Sequence, residues 1–167
     1  GTAVAKPFLE ADDDTWQADL DLKLFGAVRF SRLVIPSMIE RGGGRIVNIL
    51  NIGARHPPAR SVPTTVSRAA GLALTKALSK EFAPQNILVN AIMIGFVKSD
   101  QWHRQWEAAG NPGTLDDWYS RLAENVPVGR IAEATELADL VAFLVSERAR
   151  YITGTAINFD GGQSAVS

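Results

Sequence analysis

The sequence predicts an α/β fold in which a doubly wound parallel sheet lies between two layers of helices. Three short apolar runs, rich in β-branched residues, have the pattern of buried strands and cover residues 45–50, 87–94 and 155–160. Segments with the 3.6-residue apolar period of helices lie between them. Strands that alternate with helices form βαβ units, so we expect the three strands to be parallel and covered on both faces.

The first predicted helix covers about residues 15–38. Its apolar positions recur at helical spacing: Trp16, Leu20, Leu24 and Val28. Three aspartates at residues 12–14 precede it and suit the positive end of a helix. Gln17 lies three residues after Asp14, which predicts a variant of the capping box with Asp14 as the N-cap. Pro36 has no backbone N–H, so we expect a kink near it.

The glycines at residues 42–44 separate this helix from the first strand. Because they precede a strand, we interpret them as a turn and not as a phosphate-binding loop. A second helix is predicted from about Thr65 to Phe82, and residues 84–86 turn the chain into the next strand. We expect one set of small and apolar residues of this helix to pack inward or against a neighbour: Ala69, Leu72, Ala73, Leu74, Ala77 and Leu78.

The pattern loosens between residues 100 and 125, where three of the four tryptophans lie. One interpretation is a lid over an apolar ligand, or an interface. The alternative is a short helical hairpin packed by its own aromatic residues. The last helix is predicted from about Ala134 to Val145, with its apolar residues at a period of 3.6.

Composition limits the class of protein. A length of 167 residues suits one domain, and 17 basic against 18 acidic residues leave a net charge of −1. This balance gives no electrostatic reason to expect nucleic acid or an anionic membrane as partner. Without cysteine there is no disulfide and no thiolate nucleophile, and no motif indicates a metal site. We find no export leader and no spanning segment, so we expect a soluble, cytoplasmic protein.

Three strands make an unusually small sheet of this kind. The strand near residues 45–52 would leave an unpaired apolar edge, which is an aggregation hazard. We therefore expect further strands beside it in the native protein, with residues 1–167 as one part of a larger domain.

Several segments resemble the short-chain dehydrogenase/reductase family. They occur in the order and spacing of that family between Trp16 and Gly162: Gly44–Ile49, Ser67–Gly71, Ile87–Ile92, Tyr151–Gly154 and Asp160–Gly162. The resemblance implies a Rossmann-like fold and NAD or NADP as cofactor. It covers the C-terminal half of the family's domain, with its fifth to seventh strands, so the glycine-rich turn that cradles the dinucleotide is absent. Gly1 falls where the family's fourth strand would end.

The resemblance also implies where the catalytic residues lie, and all four differ from the family's pattern. The family's asparagine, serine, tyrosine and lysine correspond to Lys23, Asn51, Thr64 and Arg68. No shift of register restores them, because no tyrosine lies between residues 51 and 80.

The replacements suggest altered chemistry. Thr64 can hydrogen-bond a substrate but is a poor general acid, and Asn51 can donate an N–H to a carbonyl oxygen. Arg68 can reach ribose hydroxyls but stays protonated. Lys23 is the one new titratable group, and burial beside Arg68 is expected to lower its pKa. The alternative is a structural lysine paired with a carboxylate or carbonyl, while His56 overhangs the same pocket from a loop.

The turn after the second strand is predicted to contact the cofactor. In the family it lines the nicotinamide, and here it carries Gly95, Val97 and Ser99. Gly95 lets the backbone approach a ring, Val97 can present backbone groups to a carboxamide, and Ser99 can contact a phosphate or amide. Arg68 completes the predicted cofactor contacts. The alternative for Gly95 is a glycine that simply ends a strand.

Three hypotheses follow for function. The first is an NAD(P)-dependent oxidoreductase domain that acts on a small carbonyl or alcohol substrate. The second is a pseudoenzyme that binds a dinucleotide or serves as a structural subunit, and the third is an inactive fragment. By analogy with the family, the helices at residues 15–40 and 65–83, and the last helix and strand, would form a homo-dimer or homo-tetramer.

Overall fold

The computed structural model describes residues 3–166, so Gly1, Thr2 and Ser167 lie outside it. The expectation about where the chain starts therefore concerns a residue that is not described. In chain order, the strands and helices are β1 (Ala5–Lys6), α1 (Asp13–Leu20), a π-helical turn (Asp21–Phe25), α2 (Gly26–Glu40), β2 (Gly44–Asn51), β3 (Val62–Pro63), α3 (Thr64–Phe82), β4 (Ile87–Ile94), α4 (Asp100–Ala108), α5 (Leu115–Ala123), α6 (Ala134–Val145) and β5 (Ala156–Phe159).

The predicted parallel sheet is confirmed. It has three strands in the order β2-β4-β5, and both strand pairs are parallel. Gly44 pairs with Ile87 and Asn51 with Ile94, so β2 and β4 are aligned over their whole length. The short strands β1 and β3, which the sequence patterns did not predict, form a separate antiparallel pair.

Helices cover both faces of β4, which confirms the three-layer arrangement. On one face, Ile87 and Val89 pack with Ile35 of α2 and Leu78 of α3. On the opposite face, Ile92 packs with Leu144 of α6. β2 occupies an edge and pairs with β4 alone within residues 3–166, so the expectation of further strands beside it stays a prediction.

The first helical segment differs from its prediction in two details. Asp12, with an extended backbone, is the N-cap and accepts the Thr15 N–H at 2.9 Å, so the assignment of Asp14 as N-cap is wrong. A capping residue must itself lie outside the helix, whereas Asp14 is already helical. A π-helical turn at residues 21–25, which the sequence did not predict, interrupts the segment, and Pro36 lies within α2, which continues to Glu40.

The prediction that α3 packs inward is wrong at its alanines, while their packing against a neighbour stays a prediction. Ala69, Ala73 and Ala77 are exposed. The buried positions carry small and mostly polar residues: Thr64, Thr65, Ser67, Gly71, Thr75 and Ser79. The helix lies so close to β2 that a Cβ on Gly71 would be 2.9 Å from Leu50 Cδ2. Small residues permit this approach, and the Thr75 hydroxyl donates to the Gly71 carbonyl at 2.8 Å, so it is not buried without a partner.

The turns and the last helix match expectation. Gly42 has a φ of 81°, and the N–H of Gly43 donates to the Met38 carbonyl, which ends α2 and confirms the glycine turn. α6 begins and ends at the predicted residues, with a capping box between Glu133 and Glu136. Across residues 3–166, no helix combines the length and the apolar character needed to cross a membrane.

We predict that Gly154→Ala destabilises the protein more than Gly129→Ala. Both glycines have a left-handed backbone, with φ of 68° and 78°, so both substitutions cost about 1–2 kcal/mol in conformational strain. At Gly154 the new Cβ would also lie 2.5 Å from Ser79 Oγ, whereas nothing lies within 4 Å at Gly129. Crowding of this kind adds about 1–3 kcal/mol. Urea unfolding measures the difference, and equal losses would contradict the packing of residue 154 against α3.

Candidate active site

The predicted site residues lie near one end of the sheet. Asn51 is the last residue of β2, and residues 95–99 follow β4 directly. Because β2 and β4 are parallel and in register, both segments leave the sheet at the same edge. This edge, at the carboxyl ends of the strands, is where open α/β sheets bind ligands. Thr64 begins α3, and Lys23 lies in the π-helical turn.

Two of the four predicted catalytic positions are in direct contact. Lys23 Nζ donates to Thr64 Oγ1 at 3.0 Å. The same ammonium forms an ion pair with Asp19, one turn earlier. The side chains of Lys23 and Asp19 are only 9% and 2% exposed, so the pair is shielded from water. The paired lysine that the sequence left as an alternative is therefore present, and its partner is a carboxylate.

Asp19 is a site residue that sequence reasoning missed. Its second carboxylate oxygen accepts a hydrogen bond from Ser67 Oγ at 2.6 Å. A continuous chain of polar contacts therefore joins Thr64, Lys23, Asp19 and Ser67. The signal that could have revealed it was the spacing of four residues between Asp19 and Lys23, at which helical side chains of opposite charge meet.

Burial and neighbouring charges act on Lys23 in opposite directions. Burial lowers the pKa of Lys23, and the positive charge of Arg68 lowers it further. The hydrogen bond and charge of Asp19 raise the pKa but do not cancel the effect of burial. The pKa of Arg68 is lowered by burial as well. The expected decrease in the pKa of Lys23 is thus confirmed, while its role as an acid stays a prediction.

Arg68 and Asn51 each keep a polar atom free for another partner. Arg68 Nη1 donates to the carbonyl of Ile49 at 2.9 Å, which holds the guanidinium against the end of β2. Arg68 Nε and Asn51 Oδ1 are buried and have no hydrogen-bond partner among residues 3–166. Buried polar atoms are rarely left unpaired in native proteins, so these two are candidates for ligand contacts.

At Gly95, the turn after β4 packs closely against another segment of the same chain. A Cβ at this position would lie 2.9 Å from Asp160 Cα, so the close approach that requires glycine is to the residue after β5. Val97 forms a parallel bridge with Ala132. The bridge uses the carbonyl of Phe96 and the N–H of Lys98, so it leaves the backbone groups of Val97 for other contacts. The roles of Gly95, Val97 and Ser99 toward a cofactor stay predictions.

Ser99 lies at the start of α4 and is exposed. Its carbonyl accepts the N–H groups of Trp102 and His103, but its hydroxyl does not cap the helix. The hydroxyl is therefore available for the predicted phosphate or amide contact.

Among residues 3–166, no hydrogen bond joins the two histidines or the two tyrosines to this polar chain. His56 is exposed in its loop. His103 is 47% exposed and lies 3.7 Å from Glu107 on α4. Tyr151 is fully exposed, and the Tyr119 ring lies 5.5 Å from Lys98 Nζ.

The segment rich in tryptophan is a helical hairpin formed by α4 and α5, as the second interpretation expected. That the hairpin is packed by its own aromatic residues stays a prediction. Thr114 and Asp117 form a capping box at the start of α5. The Trp102 ring packs edge-on against Phe96, with ring centres 5.1 Å apart. The contact joins the hairpin to the turn after β4. A lid role for the hairpin stays a prediction.

We predict that Lys23→Met destabilises the protein by about 3–5 kcal/mol, because it leaves the buried Asp19 carboxylate without its counterion. Adding Asp19→Leu is expected to recover most of this loss, since the double variant buries no charge at either position. Urea unfolding of both variants measures the free energies of unfolding. A double variant as unstable as Lys23→Met would show that the two charges are not coupled.

Comparisons with known proteins agree with this architecture. Residues 1–164 match the family described as enoyl-(acyl carrier protein) reductase. Dehydrogenase/reductase SDR family member 4 of Sus scrofa is 31% identical over 167 residues, and the alignment covers 98% of this chain and 57% of that protein. The chain thus spans about three fifths of the length of this curated relative.

Two solved structures share the fold. One is the NADPH-bound short chain oxidoreductase of Pseudomonas aeruginosa PAO1, described as containing an atypical catalytic center. It is 33% identical to this chain with a TM-score of 0.91, and the match covers 100% of this chain and 64% of that one. The other is L-sorbose reductase of Gluconobacter frateurii complexed with NADPH and L-sorbose, which is 34% identical, with a TM-score of 0.94, over 100% of this chain and 65% of that one. The Rossmann-like fold is therefore confirmed, and the chain belongs to the short-chain dehydrogenase/reductase family.

Proposed function

We propose that this chain forms the substrate-facing part of an NAD(P)-dependent oxidoreductase that transfers a hydride between nicotinamide and a carbonyl or alcohol carbon. The observation that carries the proposal is the 3.0 Å hydrogen bond between Lys23 Nζ and Thr64 Oγ1. It sets a titratable amine against the residue at the position of the family's tyrosine. A proton donor is therefore available although the tyrosine is absent.

The residues present fit the nicotinamide end of the cofactor. The backbone groups of Val97 and the exposed hydroxyl of Ser99 can bind a carboxamide or phosphate. Arg68 Nε is a buried donor without a partner among the described residues, and it can reach ribose oxygens. The bound nicotinamide would supply or accept the hydride. Both NADPH-bound relatives support the assignment of this cofactor class.

In the reductive direction, the chain's own residues can hold the carbonyl oxygen and deliver its proton. The amide of Asn51 donates an N–H to that oxygen and polarises the carbonyl. The Thr64 hydroxyl passes its proton to the oxygen and takes a proton from the Lys23 ammonium. One O–H bond forms on the product while one N–H bond of Lys23 breaks. Lys23 is then a neutral amine and regains its proton from water.

A changed catalytic centre is compatible with cofactor binding in this family. The Pseudomonas aeruginosa oxidoreductase is described both as NADPH-bound and as containing an atypical catalytic center. Four substituted positions therefore do not argue against NADPH binding by the protein that carries this chain.

A second candidate function is dinucleotide binding without turnover. It is favoured by the burial of Thr64, which is only 4% exposed, because a buried hydroxyl offers a substrate little contact. Lys23 also has two internal partners, which suits a structural role. In this case the polar contacts among Thr64, Lys23, Asp19 and Ser67 would only hold α3 against α1.

We predict that the protein binds NADPH or NADH and reduces members of a panel of aldehydes and ketones. Lys23→Met is expected to lower kcat at least 100-fold, the scale of a lost general acid, while the nucleotide Kd changes little. Lys80→Met, an exposed lysine of the same helix layer, is the matched control. Nucleotide fluorescence measures binding and NADPH absorbance measures turnover. Nucleotide binding without turnover across the panel would favour the second candidate function. Absence of both binding and turnover would contradict both candidate functions.

We also propose association into a homo-dimer or homo-tetramer. Phe30 and Leu33 lie three residues apart on α2 and are 72% and 73% exposed, and α3 exposes Ala69, Ala73 and Ala77. Surfaces of this kind commonly mark interfaces between subunits.

We predict that Phe30→Glu combined with Leu33→Glu converts the oligomer to monomers, because it buries two charges in the interface. Leu9→Glu, at a 95% exposed leucine outside the two helices, is the control and is expected to leave the oligomer intact. Sedimentation velocity measures the mass. An oligomer unchanged by the double substitution would exclude this face of α2.

A further inference from the structure

Building on the proposed function, we infer that Asp19 is a positioning residue whose carboxylate, anchored by Ser67, holds the Lys23 ammonium against Thr64. Asp19 is not one of the four positions that correspond to the family's catalytic residues. Its side chain is buried and contacts Lys23 and Ser67, so it acts through Lys23.

Each carboxylate oxygen of Asp19 contacts a different side chain. Oδ1 pairs with the Lys23 ammonium, and Oδ2 accepts the Ser67 hydroxyl at 2.6 Å. The Ser67 oxygen also lies 3.1 Å from the Thr64 carbonyl of its own helix, but its single hydrogen is closer to Asp19, the nearer acceptor. Ser67, on α3, thereby fixes the position of the Asp19 carboxylate. If the Lys23 ammonium left this carboxylate and Thr64, the buried charge of Asp19 would be unpaired.

The backbone around Lys23 departs from α-helical geometry. Lys23 lies in the π-helical turn at residues 21–25, directly after the helix that carries Asp19. Wide turns of this kind re-aim side chains and are frequent at functional sites. The turn leaves Lys23 able to reach Asp19 four residues earlier and Thr64 on α3 at the same time.

Two charged groups act on Lys23 from the elements packed around it. Asp19 on α1 raises the pKa of Lys23, and Arg68 on α3 lowers it, as burial does. Removing the charge of Asp19 leaves only the two effects that favour the neutral amine. A neutral Lys23 can no longer give a proton to Thr64, so the loss of Asp19 moves the pH range in which the site can act as an acid.

The test compares Asp19→Asn with Asp14→Asn, which removes an exposed carboxylate from the same helix. The Lys23 side chain is followed by NMR titration, with its signal assigned by its absence in Lys23→Met. We expect Asp19→Asn to lower the titration midpoint of Lys23 by about one pH unit or more. The alkaline limb of kcat/KM for carbonyl reduction is expected to move to lower pH by the same amount. Asp14→Asn is expected to move neither.

A second variant, Ser67→Ala, keeps the charge of Asp19 and removes its anchor. We expect it to lower kcat and leave KM and the titration of Lys23 largely unchanged, which a purely structural role in stability would not produce. If Asp19→Asn fails to fold, the split between kcat and KM in this variant decides the inference.

The outcomes separate this inference from the proposed function. A Lys23 titration that Asp19→Asn leaves in place overturns the inference, whether or not the enzyme turns over. A Lys23 titration that moves in a protein with no turnover supports the contact between Asp19 and Lys23 but refutes a positioning role in catalysis together with the proposed function. Movement of both the titration and the kcat/KM profile supports the inference.

Discussion

The structure depends on the complete burial of β4. Ile87, Val89, Ala91, Ile92 and Met93 have no accessible surface, and each of the three apolar clusters contains residues of this strand. A strand buried on both faces needs a partner strand at each edge and helices above and below it. These requirements bring α2 and α3 to one side and α6 to the other. They also bring the ends of β2 and β4 to the same edge, where the candidate site lies.

Within that frame, the site is governed by the cost of burying charge. An isolated ammonium or carboxylate in the interior is strongly unfavourable, so each requires a partner. Lys23 and Asp19 supply partners for each other, while Ser67 and Thr64 satisfy the remaining polar atoms. The same contacts therefore stabilise the junction between α1 and α3 and orient the amine. Any catalytic role of Lys23 is coupled to stability, because both depend on a single carboxylate.

How far the sequence predicts this structure differs between elements for physical reasons. The three strands of the parallel sheet and α6 were predicted closely, because their apolar patterns reflect burial directly. The inward face of α3 was predicted wrongly, since hydrophobicity favours Ala69 and Ala73 over Ser67 and Thr75. Close approach of a helix to a sheet selects small size, and hydroxyls that bond to their own helix can be buried there at little cost.

The sequence by itself determined the alternation of strands and helices and the parallel sheet, because these depend on the local pattern of residues. Only the tertiary structure decided that Lys23 meets Thr64, 41 residues later, and that Asp19 is buried beside both. It also decided that Gly95 is needed for its approach to Asp160. Contacts between segments that are far apart in the sequence depend on how closely helices and strands pack. The local pattern of residues does not specify the distance between packed elements.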